Sequence, residues 1–281
     1  MVNMNIRKIK TGSYSTYLCE SGEQNSETVI FLHGGGPGVT AESNWRDVLP
    51  GFSGSYRVVA PDLAGYGNTD HPDPVPQGGL MGWMRLRVEQ ILTLMDELDI
   101  AKAHLVGNSM GGALALHLVM TAPERFQSVV LMGSAGAPST PTPEVIRMLN
   151  FYKDPTPAAL GNLLKWFVYD ENIIGDKLNQ IVQERFEEVM RPEVRRSYES
   201  MFSTSPAEVI VPPSALRRMN MPFLLVHGRD DRFVSVDSSV YMLQHLPNVQ
   251  LHVFDRCGHW AQLERKESFT KLVTDFFKGE F

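Results

Sequence analysis

The stretch His104-Leu105-Val106-Gly107-Asn108-Ser109-Met110-Gly111-Gly112 constrains this chain more than any other. An apolar strand pattern runs into Gly-x-Ser-x-Gly and then into a helical pattern from Gly111 to Thr121. So sharp a strand-to-helix turn holds one serine hydroxyl out over the edge of a sheet. The glycines at 107, 111 and 112 suit it, because small residues let the helix lie close to the strand. Alone, the five-residue pattern fits an ordinary strand-to-helix turn equally well.

Two later segments add to it. Phe223-Leu224-Leu225-Val226 leads into His227-Gly228-Arg229-Asp230-Asp231-Arg232-Phe233-Val234, and the strand-like run Val249 to Phe254 leads into Asp255-Arg256-Cys257-Gly258-His259-Trp260. Serine, then an acid after a strand, then a histidine after the last strand is the chain order of the α/β-hydrolases. The chemistry needs all three. A serine hydroxyl is a poor nucleophile until an imidazole takes its proton, and the imidazole needs a carboxylate to fix its tautomer and stabilise its charged form. Asp230 and Asp231 both qualify as the acid at this point.

The remaining pattern agrees with such a fold. Short β-branched runs (Val29–Leu32, Tyr56–Ala60, His104–Val106, Val129–Met132) each end at a glycine, a proline or the serine turn, and Gly82–Leu98 between the second and third carries helical periodicity. This alternation predicts a mostly parallel, doubly wound sheet with its site beyond the carboxyl ends of the strands. It stops after Gly136. A proline-rich connector, Ala137 to Pro143, opens a helical stretch that reaches about Leu216, and the strand pattern resumes at Pro222. The expected organisation is an α/β core over 1–136 and 217–281 with a helical lid, 137–216, inserted between two core strands.

A chain of 281 residues, 43% hydrophobic, suits one core with one inserted subdomain. A net charge of −6 without a basic stripe disfavours nucleic acid as a partner. Met1 to Lys10 is polar and basic, with no signal-peptide apolar stretch behind it, and the longest apolar runs are only strand-length, so neither a leader nor a membrane helix is expected. Two cysteines, Cys19 and Cys257, make no disulfide framework and suggest a reduced, cytoplasmic setting.

Acyl chemistry places negative charge on a carbonyl oxygen, so donors must aim at it. The backbone N–H of Met110, following the serine, is one candidate. Gly35, in His33-Gly34-Gly35-Gly36-Pro37-Gly38, is the other, and the loop lacks the lysine and spacing of a phosphate-binding motif. His33 reads as a structural residue at the strand end. Leu178 to Met190 reads as an amphipathic helix in which Leu178, Ile181, Val182 and Val189 share a face, with Arg185 in its middle. A guanidinium there must reach water, pair with a protein acid, or meet an anion bound under the lid.

Taken together these motifs resemble those of the meta-cleavage product hydrolases, carbon–carbon bond hydrolases of bacterial aromatic degradation within the α/β-hydrolase fold. The likeness is carried by residues 33–38 with Ser43-Asn44, Pro61-Asp62, Gly107 to Gly112, Gly228 to Val234, and Arg256-Cys257-Gly258-His259-Trp260-Ala261-Gln262. It spans nearly the whole chain. It implies Asp231 as the acid beside Ser109 and His259, and Arg185 as the holder of a substrate carboxylate. It also implies Asn44, Asn108 and Trp260 as residues lining a polar dienoate pocket; Trp260 equally suits core packing beside the histidine. Cys257 reads as a packing residue. His227 departs from the tryptophan usual at its position. The implied reaction is hydrolysis of the C5–C6 bond of a 2-hydroxy-6-oxohexa-2,4-dienoate, with no cofactor or metal, by an enzyme whose relatives are commonly dimers or larger. Side chains near Leu149, Phe151, Trp166 and Phe167 are expected to choose the C6 substituent. The rival readings are a carboxylesterase or lactonase with the same three residues, and a ligand-binding receptor on the same fold. Epoxide hydrolases and dehalogenases are disfavoured, since those relatives carry aspartate where Ser109 stands.

Overall fold

Strands buried on both faces set the frame. β3 (Thr28–Leu32), β5 (Ala103–Asn108) and β7 (Phe223–Gly228) are buried at every residue, as their unbroken apolar runs require. With β1 (Asn5–Thr11), β2 (Tyr14–Ser21), β4 (Arg57–Pro61), β6 (Phe126–Met132) and β8 (Val249–Phe254) they form one sheet in the order β1-β2-β4-β3-β5-β6-β7-β8. All neighbours from β4 to β8 are parallel; β1 with β2 and β2 with β4 are antiparallel. The computed structural model describes residues 4–280.

Side chains alternate across this sheet with the period of two that a pleated strand imposes. Ile30, Leu32, Val59, Leu105, Val129 and Leu131 pack into one layer. Val29, Phe31, Val58, Val106, Val130 and Leu224 pack into the other, against Phe269 and Val273. Helix α1 (Gly79–Glu97) joins β4 to β5, and α2 (Met110–Thr121) joins β5 to β6. Between β6 and β7 the chain is helical: α3 (Pro143–Leu149), α4 (Pro157–Trp166), α5 (Leu178–Val189) and α6 (Pro192–Met201). Then α7 (Asp237–His245) precedes β8 and α8 (Lys266–Phe277) follows it.

The prolines of the helical stretch start helices rather than break them. Pro143 and Pro157 stand in first turns whose N-caps, Thr142 and Thr156, accept hydrogen bonds from the backbone N–H groups of Val145 and Ala159. One feature departs from the sequence reading. The first strand expected was Val29–Leu32, yet an antiparallel hairpin, β1 and β2, precedes it on the sheet's edge. Its outer strand is mostly exposed and carries Arg7, Lys8 and Lys10, charges that blunt an open edge and also hide the strand from an apolar pattern. Residues 1–3 of the basic N-terminal stretch lie outside the described residues. Among the described residues no helix is long and apolar enough to cross a membrane.

Candidate active site

Ser109 sits where β5 ends and α2 begins, with φ 55° and ψ −116°. Such a conformation costs a non-glycine residue about 1–3 kcal/mol and persists only where its surroundings over-determine it. Here they do: the Ser109 N–H donates to the Met132 carbonyl at 3.0 Å, and its own carbonyl accepts from Gly112, Ala113 and Ala135. The flanking glycines answer to close approach. A Cβ on Gly107 would stand 2.5 Å from the carbonyl oxygen of Gly111, and one on Gly111 would overlap the carbonyl oxygen of Leu32.

The acid and the imidazole come from the next two strand ends. After β7, Asp231 Oδ1 accepts from the N–H groups of Phe233 and Val234 at 2.8 and 3.0 Å. Its Oδ2 accepts from His259 Nδ1, after β8, at 2.6 Å. That bond holds the imidazole proton on Nδ1 and leaves Nε2 open to take another. Burial alone would push the Asp231 carboxyl up. The charge of His259 and hydrogen bonds from His227 and His259 outweigh it and hold the group well below the usual carboxylate range. Asp230, the alternative acid, instead faces Arg229 at 3.4 Å. His227 is wholly buried under this turn. Its Nε2 donates to the Val234 carbonyl at 2.9 Å and lies 3.5 Å from Asp231 Oδ2, while Nδ1 is 2.8 Å from the Ser239 hydroxyl.

Ser109 and His259 line one cavity of about 230 Å³. So do Gly35, Asn44, Asn108, Met110, Arg185 and Trp260, whereas Asp231 stands behind the imidazole. Asn44 Oδ1 accepts the Gly34 N–H at 3.1 Å, and its buried Nδ2 has no partner among the described residues. Asn108 is tied to the sheet by donating from Nδ2 to the Met132 carbonyl at 3.2 Å. Arg185, on α5, is buried and donates from Nε to the Pro37 carbonyl at 2.9 Å. Burial pushes its guanidinium down to about 10, still charged at neutral pH, and no acidic side chain among the described residues offsets it. The pairing with a protein acid that the helical pattern left open is therefore not what the structure contains.

Several expectations at the rim sort themselves out by contact. His33 is structural: Nε2 accepts the Leu63 N–H at 2.9 Å, Nδ1 bonds to the Gly34 carbonyl at 2.8 Å, and burial lowers the ring to about 3. It thereby fixes the root of the glycine loop. Trp260 lines the cavity and also stacks on Phe167, with ring centroids 4.5 Å apart. Cys257 is buried packing. Leu149 and Phe167 face the cavity, but Phe151 and Trp166 line a separate depression with Arg147 and Lys153. Helical position alone could not tell which side of α4 faced the sheet. Sequence reasoning missed Phe233, stacked on the other face of Phe167 at 3.9 Å, and Tyr66, whose hydroxyl donates to the Gly35 carbonyl at 3.0 Å. Phe233 lies two residues after the acid, in the Gly228–Val234 segment; Tyr66 has no signal in the sequence.

Residues 27–266 match the family model described as alpha/beta hydrolase fold. A 2-hydroxy-6-oxo-2,4-heptadienoate hydrolase of Pseudomonas putida is 34% identical over 100% of both chains. A 2-hydroxy-6-oxononadienedioate/2-hydroxy-6-oxononatrienedioate hydrolase of Cupriavidus pinatubonensis is 36% identical, over 92% of this chain and 89% of that one. Among solved structures, a 2-hydroxy-6-oxo-6-phenylhexa-2,4-dienoate hydrolase from Rhodococcus sp. strain RHA1 superposes with a TM-score of 0.94 at 43% identity, over 99% of this chain and 100% of the other.

Proposed function

The chain belongs to the meta-cleavage product hydrolases of the alpha/beta hydrolase fold, enzymes that hydrolyse a carbon–carbon bond, and from that membership we propose the following assignment of substrate and roles. The substrate is a 2-hydroxy-6-oxohexa-2,4-dienoate, a small carboxylate, and the products are 2-hydroxypenta-2,4-dienoate and a carboxylic acid. Arg185 receives the C1 carboxylate, the anion that its buried guanidinium lacks among the described residues. Asn44, Asn108 and Trp260 line the dienoate.

The reaction begins with a proton shift. The 2-hydroxyl loses its proton and C5 gains one, so C2 becomes a ketone conjugated to a C3=C4 double bond. His259 carries that proton, oriented by Asp231 through Nδ1. Ser109 then attacks the C6 carbonyl as His259 Nε2 takes its proton, and the N–H groups of Gly35 and Met110 receive the developing oxyanion. When the adduct collapses, the C5–C6 bond breaks and its electron pair passes through C4 to the C2 oxygen, leaving a dienolate that is protonated on departure. Water, deprotonated by the same imidazole, releases the carboxylic acid from Ser109. The helices of 137–216 act as the lid that carries Arg185. The two buried thiols suit a cytoplasmic setting, and the sheet ends in two edge strands, β1 and β8, along which a second copy would pair to make a homo-oligomer.

One observation carries this reading over an esterase: Arg185 faces the same cavity as Ser109 and His259 and has no acid partner among the described residues. The test is a panel of ring-fission dienoates with varied C6 groups, followed by loss of their visible absorbance. Wild type bleaches at least one and releases its carboxylic acid, and Ser109→Ala releases none. Arg185→Ala loses about 100-fold in kcat/KM on the dienoate, the cost of removing one half of a buried charge pair, while p-nitrophenyl acetate is cleaved as before. Ester cleavage without bleaching, or equal losses on both substrates, would overturn the assignment.

A further inference from the structure

Arg87, on α1, is wholly buried and pairs with no carboxylate among the described residues. Its Nε and Nη2 donate to the Ala64 carbonyl at 3.1 and 2.9 Å. Nη1 donates to Met110 Sδ at 3.2 Å, and Nη2 to Met201 Sδ at 3.3 Å. The guanidinium carbon lies 5.1 Å from the ring centre of Tyr66 and 5.4 Å from that of Trp83. Burial pushes the group down to about 10, so it keeps its charge at neutral pH. Tyr66 supplies no countercharge, since burial holds its hydroxyl well above the ordinary phenol value.

An unpaired buried cation is an expensive way to fill space. Apolar residues of similar volume replace buried charges at little cost, often with a gain in stability. The neighbours of Arg87 suggest what it does instead. Met110 contributes one of the two amides proposed above to receive the oxyanion, and its Sδ is wedged between Arg87 and Gly35, where an added Cβ would stand 3.2 Å away. Gly35 contributes the other amide, and its carbonyl is held by the Tyr66 hydroxyl, whose ring lies under Arg87. The guanidinium thus touches Met110 directly and reaches Gly35 through one intervening residue, Tyr66.

We infer that Arg87 is a positioning residue for the oxyanion hole: it clamps Met110 and Tyr66, fixes through them the amides of Met110 and Gly35, and lends that corner of the cavity a positive charge that only a bound anion offsets. This rests on the assignment of those two amides above. Their geometry matters most when charge develops on the carbonyl oxygen, so loss of the clamp falls on kcat and not on ground-state binding.

The experiment compares Arg87→Met and Arg87→Lys with wild type in the full chain, on p-nitrophenyl acetate and on the C6-phenyl dienoate. Arg87→Met melts at or above the wild-type temperature, yet its kcat falls about 10- to 100-fold on both substrates, as for a displaced oxyanion donor. KM for the dienoate stays near the wild-type value, because Arg185 is untouched. Arg87→Lys, which keeps the charge without the fork, lies between the two. A kcat within about twofold of wild type in Arg87→Met, or a loss confined to KM, overturns the inference. Should Arg87→Met fail to fold, Arg87→Lys decides alone: its kcat must drop with KM unchanged. Wild type that cleaves neither substrate through Ser109 brings down the assignment of the site, and this inference with it; active wild type with an unimpaired Arg87→Met brings down the inference alone.

Discussion

Two buried aspartates, Asp62 and Asp231, show how neighbours decide what a residue does. Asp231 has imidazoles beside it and stays ionised, so the stability it contributes is present above the unfolded carboxylate value of about 3.9 and disappears only in acid. Asp62, after β4, has no cation beside it among the described residues. Its oxygens accept the Ala41 and Asn68 N–H groups at 2.7 and 2.9 Å, but burial prevails and pushes the carboxyl up to about 6. A carboxyl raised on folding favours the folded chain below its unfolded value and loses that advantage as pH rises towards its folded one. The loss is on the order of 3 kcal/mol between about pH 4 and pH 7. Asp62→Asn carries no such titration. The melting temperature of wild type minus that of Asp62→Asn should therefore fall as pH rises over this range, whatever offset the hydrogen bonds of the amide set; a constant difference would contradict it. At this scale the sequence is legible where a residue stands in a motif. Ser109, Asp231 and His259 follow strand ends in a telling order, and Arg185 interrupts an apolar face. Arg87 interrupts nothing: an arginine in a helix reads as solvent-facing until packing shows otherwise.

At the scale of elements, the turn from β5 into α2 has the least freedom. Alanine is the better helix former, so Gly111→Ala would by itself favour α2 by about 1 kcal/mol. Its methyl, however, would overlap the Leu32 carbonyl oxygen and stand 2.6 Å from that of His33. Helix α2 would have to lift off β3, and Ser109 and the Met110 N–H would move with it. Gly111→Ala should lower the melting temperature and cut kcat by about 100-fold, as a displacement near 1 Å does. A control at Ala113, two residues further along the helix, separates the effects: Ala113→Gly weakens α2 by about 1 kcal/mol with kcat preserved. A Gly111→Ala variant with full kcat would show that the close approach is not what the turn requires. Elements buried on both faces are legible for the reason that makes them rigid, since their middle residues are a run of apolar side chains with polar ones confined to the ends. Helix α5 is legible from its stripe. The edge hairpin is not, because its solvent face obeys no apolar rule, and neither is the side of α4 that meets the sheet, which depends on tertiary contact.

The whole molecule brings two halves of the candidate site together from different layers. The sheet supplies Ser109, the acid and the imidazole at adjacent strand ends, and the helices between β6 and β7 supply Arg185 and much of the remaining wall. The seam is stitched where the second half begins. Phe167 stacks between Phe233 and Trp260, the Trp260 N–H donates to the Phe167 carbonyl, and Glu264 accepts from Gly258 on one oxygen and from Tyr169 and Asp170 on the other. A cavity built this way has a polarity that no single segment reveals. Arg185 is the one arginine or lysine among the described residues lining it, while Val145, Met148, Leu149, Phe202, Val209 and Ile210 give it apolar walls. If Arg185 is engaged by the C1 carboxylate, a second carboxylate on the C6 side chain would be buried without a partner, at a cost of several kcal/mol. The enzyme should therefore turn over dienoates with alkyl or phenyl groups at C6 at least about 100-fold more efficiently than a dienedioate of similar length. Steady-state kcat/KM on matched pairs, one ending in methyl and one in carboxylate, measures this directly. Placing a cation on the apolar wall, as in Val209→Arg or Met148→Lys, should narrow the ratio from the dienedioate side, because the new charge meets the carboxylate that wild type leaves unpaired. Equal efficiency on both members of a pair in wild type would mean that the C6 group does not reach those apolar walls.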